Sequence, residues 1–234
     1  MSMRTHYVML AHYHRWATRR VLASVGKLTE TDASSQNRII FPNLPSTVSY
    51  DHPVLRDMHL PCGSIYNTLC HLYFAEKLWM ARITGQIPSD DLNNLWAPTA
   101  PTFVWQDAFA KEMRLPSLSA LPADAKLDEE SKYVKRALTS INFALDDMNN
   151  DWLELTKGTE EKSLFVPIEY TETSGIKRKR TRSTLYTHIF NHATHHRSQL
   201  ATALTQNGVE YPVLDLTAFL PEWEELHAKA FRWA

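Results

Sequence analysis

The chain has 234 residues, a formal net charge of −1 at pH 7 and a hydrophobic share of 44%. That length supports one domain, residues 1–234, with a sizeable core. The composition excludes wholesale disorder, and the near-neutral charge gives no global pull toward a polyanion such as DNA. The two cysteines, Cys62 and Cys70, are too few for a disulfide framework and suit a reducing compartment. The first residues, MSMRTHYVMLAHYHRW, hold no uninterrupted apolar run with a small-residue cleavage site, and no stretch approaches the roughly 20 apolar residues of a membrane helix. The expectation is a soluble, cytoplasmic protein with no membrane or nucleic-acid partner.

Helical spacing opens the chain: Tyr7, Leu10, His14, Ala17, Val21 and Leu22 form one stripe and predict a helix over about 5–25. From Leu28 to Pro61 the prolines Pro42, Pro45, Pro53 and Pro61 and the lack of a period read as a long irregular connection. A second helix follows over about 64–84, on Ile65, Leu69, Leu72, Tyr73, Leu78, Trp79 and Ile83. Five prolines between Gln86 and Ala125 mark another irregular connection, with room for short helices whose limits the pattern does not set. A third long helix spans about 128–156, on Val134, Leu138, Ile141, Leu145, Met148, Trp152 and Leu155.

The period then changes. Leu164, Val166, Ile168 and Tyr170 alternate with other residues, Thr173-Ser174-Gly175 makes a turn, and Ile176 to Arg182 returns, which predicts a two-strand hairpin. Ser183 is placed to cap a fourth long helix over about 184–206. A last helix over about 216–232 holds Pro221 early and is expected to bend or restart there. Gly26, Gly85, Gly158 and Gly208 each follow a helical segment and read as left-handed helix ends. The basic run Lys177-Arg178-Lys179-Arg180, with Arg182, reads as a solvated strand whose charges discourage edge pairing. No basic helix or aromatic platform accompanies it to suggest nucleic acid.

His188, His192, His195 and His196 fall within nine residues of the fourth helix. His192 and His196 are four apart and project from one face, so they can chelate a metal together. With 11 histidines in the chain, chance alone supplies roughly 0.5 such pairs, and a site needs a third ligand from elsewhere. His71, in an otherwise apolar helix, is either that ligand or a hydrogen-bonded core histidine.

The stretch HIFNHATHHRSQL, His188 to Leu200, resembles the DinB family, whose last core helix carries N-H-x-x-H-H-R-G-Q-L; Ser198 stands where glycine is usual. SIYNTLCHLYFAEKLWMARITGQ is similar to the family's second helix and YHRWATRRVL to its first, with Trp16 and Ala17 at the Trp-Ala pair. The hairpin around Gly175 and the segment LDLTAFL, Leu214 to Leu220, also fall where the family has them. The connections at about 28–61 and 86–127 are less well covered.

The resemblance implies a mainly α, DinB/YfiT-like four-helix bundle with a short hairpin before the last core helix and an extra C-terminal helix. It implies metal ligands at His71, His192 and His196, with His195 facing partly away. Asn191, Arg197 and Gln199 fall at family positions, where helix contacts, a surface or subunit salt bridge, or hydrogen bonds to ligating imidazoles would employ them. His188 is a further candidate for such a bond. Three imidazoles suit Zn²⁺, Ni²⁺, Fe²⁺ or Co²⁺ and leave a position for water or substrate.

Relatives include metal-dependent transferases that use low-molecular-weight thiols, a thiol-dependent maleylpyruvate isomerase and many proteins of no known activity. A metal-dependent thiol transferase is therefore implied, in detoxification or stress response, with a small-molecule electrophile and a low-molecular-weight thiol as partners. A hydrolase variant would use bound water instead. The alternative is a non-catalytic metal-binding stress protein or interaction module. Many relatives are homodimers. The general acid or base must come from elsewhere than the histidines; Glu76, five residues after His71, is a candidate for it, though its position reads first as a surface glutamate. Cys70 reads as a core cysteine and Cys62 as a loop or helix-start cysteine.

Overall fold

The computed structural model describes residues 1–29, 50–97, 104–121 and 126–231. The first connection lies partly outside these residues, as do 98–103 and 122–125. Four long helices pack on one another: α1 (Met3–Lys27), α2 (Ile65–Thr84), α5 (Leu127–Gly158) and α6 (Arg182–Gln206). Two short helices, α3 (Asp90–Asn94) and α4 (Val104–Glu112), lie in the second connection, and α7 (Leu216–Phe231) closes the chain. No helix among the described residues is long and apolar enough to cross a membrane.

Local chemistry sets the helix ends. The Ser2 hydroxyl accepts from Thr5 N at 3.1 Å and starts α1, and the Ser64 hydroxyl accepts from Asn67 N at 3.1 Å and starts α2. Three acidic residues, Asp128, Glu129 and Glu130, occupy the first turn of α5, where the helix dipole favours negative charge. Gly85 stops α2 at φ 78°, a conformation that costs glycine little. Two of the expected glycine stops are not stops of this kind: Gly26 lies inside α1, and Gly158 is the last residue of α5 with no left-handed turn.

The apolar stripes meet in one core. On α5, Tyr133, Val134, Ala137, Leu138, Ile141, Leu145 and Trp152 recur at three or four residues and are buried. α2 is buried on nearly all sides, from Ile65 to Ala75, which makes it the central helix and explains why its sequence is the most apolar of the four long helices. α7 packs on the outer side of α1, with Phe219 and Trp223 against Met9, Tyr13 and Ala17. It runs through Pro221 as one helix rather than restarting. Proline here gives up the bond its N–H would make to the Thr217 carbonyl, at the start of the helix.

Strand β1 (Pro167–Thr171) pairs antiparallel with β2 (Lys177–Thr181), from Pro167 opposite Thr181 to Thr171 opposite Lys177. Gly175, at φ 82°, supplies the turn. Leu164, expected in the first strand, lies instead in a 3₁₀ turn, Glu161–Phe165, and is fully buried. The basic run is answered within the hairpin: Lys179 Nζ bonds Glu169 at 2.8 Å directly across the ladder, and Arg178 Nε bonds Glu172 at 2.9 Å. The cap of α6 is Thr181 rather than Ser183; its hydroxyl accepts from Thr184 N at 3.3 Å. The last residue of β2 is therefore also the first anchor of α6, and the hairpin sets where that helix begins.

Candidate metal centre

α2 and α6 pack face to face, and each carries histidine on the shared face. His71 sits mid-way along α2, and His192 and His196 lie one turn apart on α6. Their Nε2 atoms converge on one point. His71 Nε2 is 3.1 Å from His196 Nε2 and 3.4 Å from His192 Nε2, and the last two are 3.2 Å apart. Three nitrogens held by a tetrahedral ion at 2.0–2.1 Å would stand about 3.3–3.4 Å apart. The triangle has the size that such an ion would require.

Burial sets the charge state. Desolvation, then the neighbouring imidazoles, pushes His71 and His192 down to about 3, and desolvation also lowers His196. All three are therefore neutral near pH 7, the form that ligates. With the proton of His71 or His192 on Nε2 these contacts are N–H···N hydrogen bonds; with the protons on Nδ1 the three Nε2 lone pairs converge, as a cation at their centre would require. His196 is oriented for this. Its Nδ1 lies 2.8 Å from Gln199 Oε1, which can only accept, so the proton sits on Nδ1 and the Nε2 lone pair faces the cluster. The Gln199 amide nitrogen is turned to His195 Nε2 at 2.9 Å, so His195 lies outside the triangle. The Nδ1 atoms of His71 and His192 are buried without a hydrogen-bond partner.

The surroundings come from the two connections. The edge of Trp105, on α4, meets the His71 ring at 4.5 Å, and Trp96, just after α3, lies at 6.0 Å. His188 packs against Trp79 at 4.7 Å and lies 5.9 Å from the His192 ring. It borders the cluster by ring contact rather than by a hydrogen bond. Asn191 is exposed.

Cys62, placed from sequence only at the start of a helix, belongs to this group. Its thiol and donor atoms of His71 and His196 lie within 4.8 Å of one another, and the three buried residues could hold a metal ion. No short-range spacing announces it, because Cys62 reaches the cluster through the turn before α2. Cys70 is fully buried in the core beside Tyr66, away from that role. Burial raises both thiols, Cys62 to about 11.

One further expectation is corrected. Glu76 is not a surface residue: it is 1% exposed, with Oε1 3.2 Å from His14 Nε2. For Arg197, of the uses open to it from sequence, the structure shows helix contacts. The residue is buried, 2.9 Å from His14 Nδ1 and 2.9 Å from Thr194 Oγ1, with its guanidinium over the Tyr13 ring. Arginine only donates, so His14 accepts on Nδ1 and carries its proton on Nε2, toward Glu76. A cavity of about 840 Å³ opens on this side of α6, bordered by Arg197, Ser198, Thr202 and Leu214, and none of the three clustered histidines lines it.

A helical bundle with a hairpin leading into its histidine-bearing core helix, and with a buried cysteine–histidine cluster able to take an ion, defines the class of protein. The model of the DinB family matches residues 56–226, and the chain belongs to that family. The match runs from the turn before α2 into α7, so α1 lies outside it. No curated protein and no solved structure matches the chain at a significant level.

Proposed function

We propose that His71, His192 and His196 hold one divalent transition metal, Zn²⁺, Ni²⁺ or Fe²⁺, and that the protein is a metal-dependent enzyme of the thiol transferase type in detoxification or stress response. The observation that carries this reading is the Nε2 triangle of 3.1–3.4 Å, built from neutral imidazoles with no carboxylate among them. When bound, the ion would act as a Lewis acid and would lower the pKa of a thiol or a water beside it.

The chain's own residues would do the rest. The three imidazoles fix the ion, and Gln199 fixes the tautomer and direction of His196. The Trp105 and Trp96 rings lie beside His71, an aromatic surface suited to the carbon skeleton of a small electrophile. Glu76 is not the proton acceptor, because it is committed to His14 in the core. The reacting thiol would then pass its proton to solvent, to a group on the thiol itself or to a ligand that it displaces. That favours a low-molecular-weight thiol, acidified by the ion, over a reaction that needs a protein base.

The alternative, a metal-binding stress protein or interaction module without turnover, draws on the same absence of a base and on the nearness of the Cys62 thiol to the cluster. Conjugation assays decide between the two. The metal-loaded protein, a panel of low-molecular-weight thiols and small electrophiles would be compared with the His192→Ala, His196→Ala double variant. Metal-dependent product formation lost in the variant supports the enzyme. A loaded protein that gives no rate above the uncatalysed reaction for any pair supports the module.

A further inference from the structure

We propose that Cys62 is an internal fourth ligand of the metal centre, so that the resting site is three histidines and one cysteine, and an external thiol enters by displacing the Cys62 sulfur. This rests on the three-histidine reading above and adds a residue on which that reading does not depend.

Position is the first argument. The Cys62 thiol lies within 4.8 Å of the donor atoms of His71 and His196, along one edge of the nitrogen triangle. A tetrahedral ion with nitrogen at 2.0–2.1 Å and sulfur at about 2.3 Å would set sulfur and nitrogen about 3.5–3.6 Å apart. For His71 and His196 the difference is at most about 1.3 Å, within reach of a side-chain rotation and a small shift of the turn; His192 is not in that 4.8 Å group, and the same movement would have to carry the sulfur toward it.

The second argument is that the turn holds the thiol in place. Gly63 takes φ 79°, the chain reverses between Leu60 and Gly63, and Gly63 N bonds Leu60 O at 2.7 Å. The buried Asn67 amide donates to Cys62 O at 2.7 Å. The backbone on both sides of Cys62 is thus tied to α2, the helix that carries His71.

The third argument is that neither a disulfide nor the main apolar cluster takes the thiol, whose other side-chain partner is Thr68. Cys62 is 3% exposed, forms no disulfide and is not part of the main hydrophobic cluster, whereas Cys70 is. A buried sulfur outside the apolar core and beside converging imidazoles is placed as a ligand rather than as packing.

The chemistry balances without a redox step. On loading, the Cys62 S–H bond breaks, its electron pair goes to the metal and its proton goes to solvent. The histidines, already neutral, release none. In the exchange, the incoming thiol gives its proton to the Cys62 sulfur and takes the vacated position. Cys62 would therefore hold the site closed to water and weaker oxygen ligands and open it to thiols, which sets the substrate class. A soft donor also shifts preference toward Zn²⁺ and away from oxygen-seeking ions.

Cobalt(II) loading tests this directly, because cobalt–thiolate bonds give an intense near-ultraviolet charge-transfer band while imidazole ligands do not. Wild type is expected to take one Co²⁺ per chain, to show that band and to release about one proton per ion near neutral pH. Cys62→Ser should lose the band and the proton while binding cobalt roughly tenfold or more weakly. Cys70→Ser should keep all three. Cobalt bound at one per chain with no band in wild type, or with the band unchanged in Cys62→Ser, overturns the Cys62 assignment and leaves the histidine site standing. No cobalt binding in wild type overturns both. The wild-type spectrum and proton count suffice if the variants fail to fold.

Discussion

Two buried polar clusters lie on different faces of α6, and adjacent residues belong to each. His196 faces His71 and His192; Arg197 faces His14, with Glu76 beyond it. The Arg197 cluster holds one guanidinium and one carboxylate with an imidazole between them, so its charges cancel within the protein. The His196 cluster brings three uncharged imidazole nitrogens together, with no charge of either sign among them. The contrast teaches how to tell a structural polar cluster from a binding site: a cluster that is electrostatically complete stabilises the fold, and one that lacks a cation is shaped to receive it.

Breaking the complete cluster should have the largest effect. Arg197→Ala leaves Glu76 as a buried carboxylate without its counter-charge and should lower stability by about 3–5 kcal/mol, with or without metal, in denaturant unfolding. His196→Ala should instead leave the metal-free fold close to wild type and remove the response to metal. If the two variants lose the same stability without metal, the distinction between the clusters fails.

Metal addition is the next effect in size. At a free concentration about 100 times its Kd, Zn²⁺ should stabilise wild type by about 2.7 kcal/mol, read as a rise in Tm. The His192→Ala, His196→Ala variant should show no rise. Gln199→Leu should follow: it frees the His196 ring to rotate and to change tautomer, and should weaken metal affinity about 10–100-fold by titration calorimetry. The Tm of the metal-free protein should move little.

Acid gives the smallest effect per step. His71 and His192 titrate near 3 in the fold and near 6.5 when exposed, so the unfolded chain binds more protons between those values. Stability of the metal-free protein is therefore fully present above about pH 6.5 and falls as pH drops toward 3, by up to about 1.4 kcal/mol per pH unit for each histidine. His52, also pushed down by burial to about 4, adds to the slope. The double variant should titrate with a shallower slope than wild type, because only His71 and His52 of these groups remain. An equal slope would mean that the α6 histidines are not held neutral by the fold.

Much of this was legible in the sequence where the signal is local. The i,i+4 pair on α6, the apolar stripe around His71, the hairpin turn at Gly175 and the long helices all follow from short-range spacing. The metal-facing trio itself needed the family resemblance, because spacing left His71 open between ligand and core residue. What failed depends on partners far along the chain. A glutamate at position 76 reads as surface until α1 and α6 bring His14 and Arg197 to it. Thr181 and Ser183 are both good caps, and the strand register, with Thr181 opposite Pro167, decides between them. Trp96, Trp105 and Cys62 lie in segments without a period, and only the packed fold shows that both connections border the histidines.

The most direct test is the metal content of the purified protein, beside that of the His192→Ala, His196→Ala variant, each measured as purified and after loading with Zn²⁺ and Ni²⁺. The account predicts about one transition metal per chain in wild type and none retained in the variant. Wild type that holds no metal even after loading, or a variant that keeps its full complement, would contradict it.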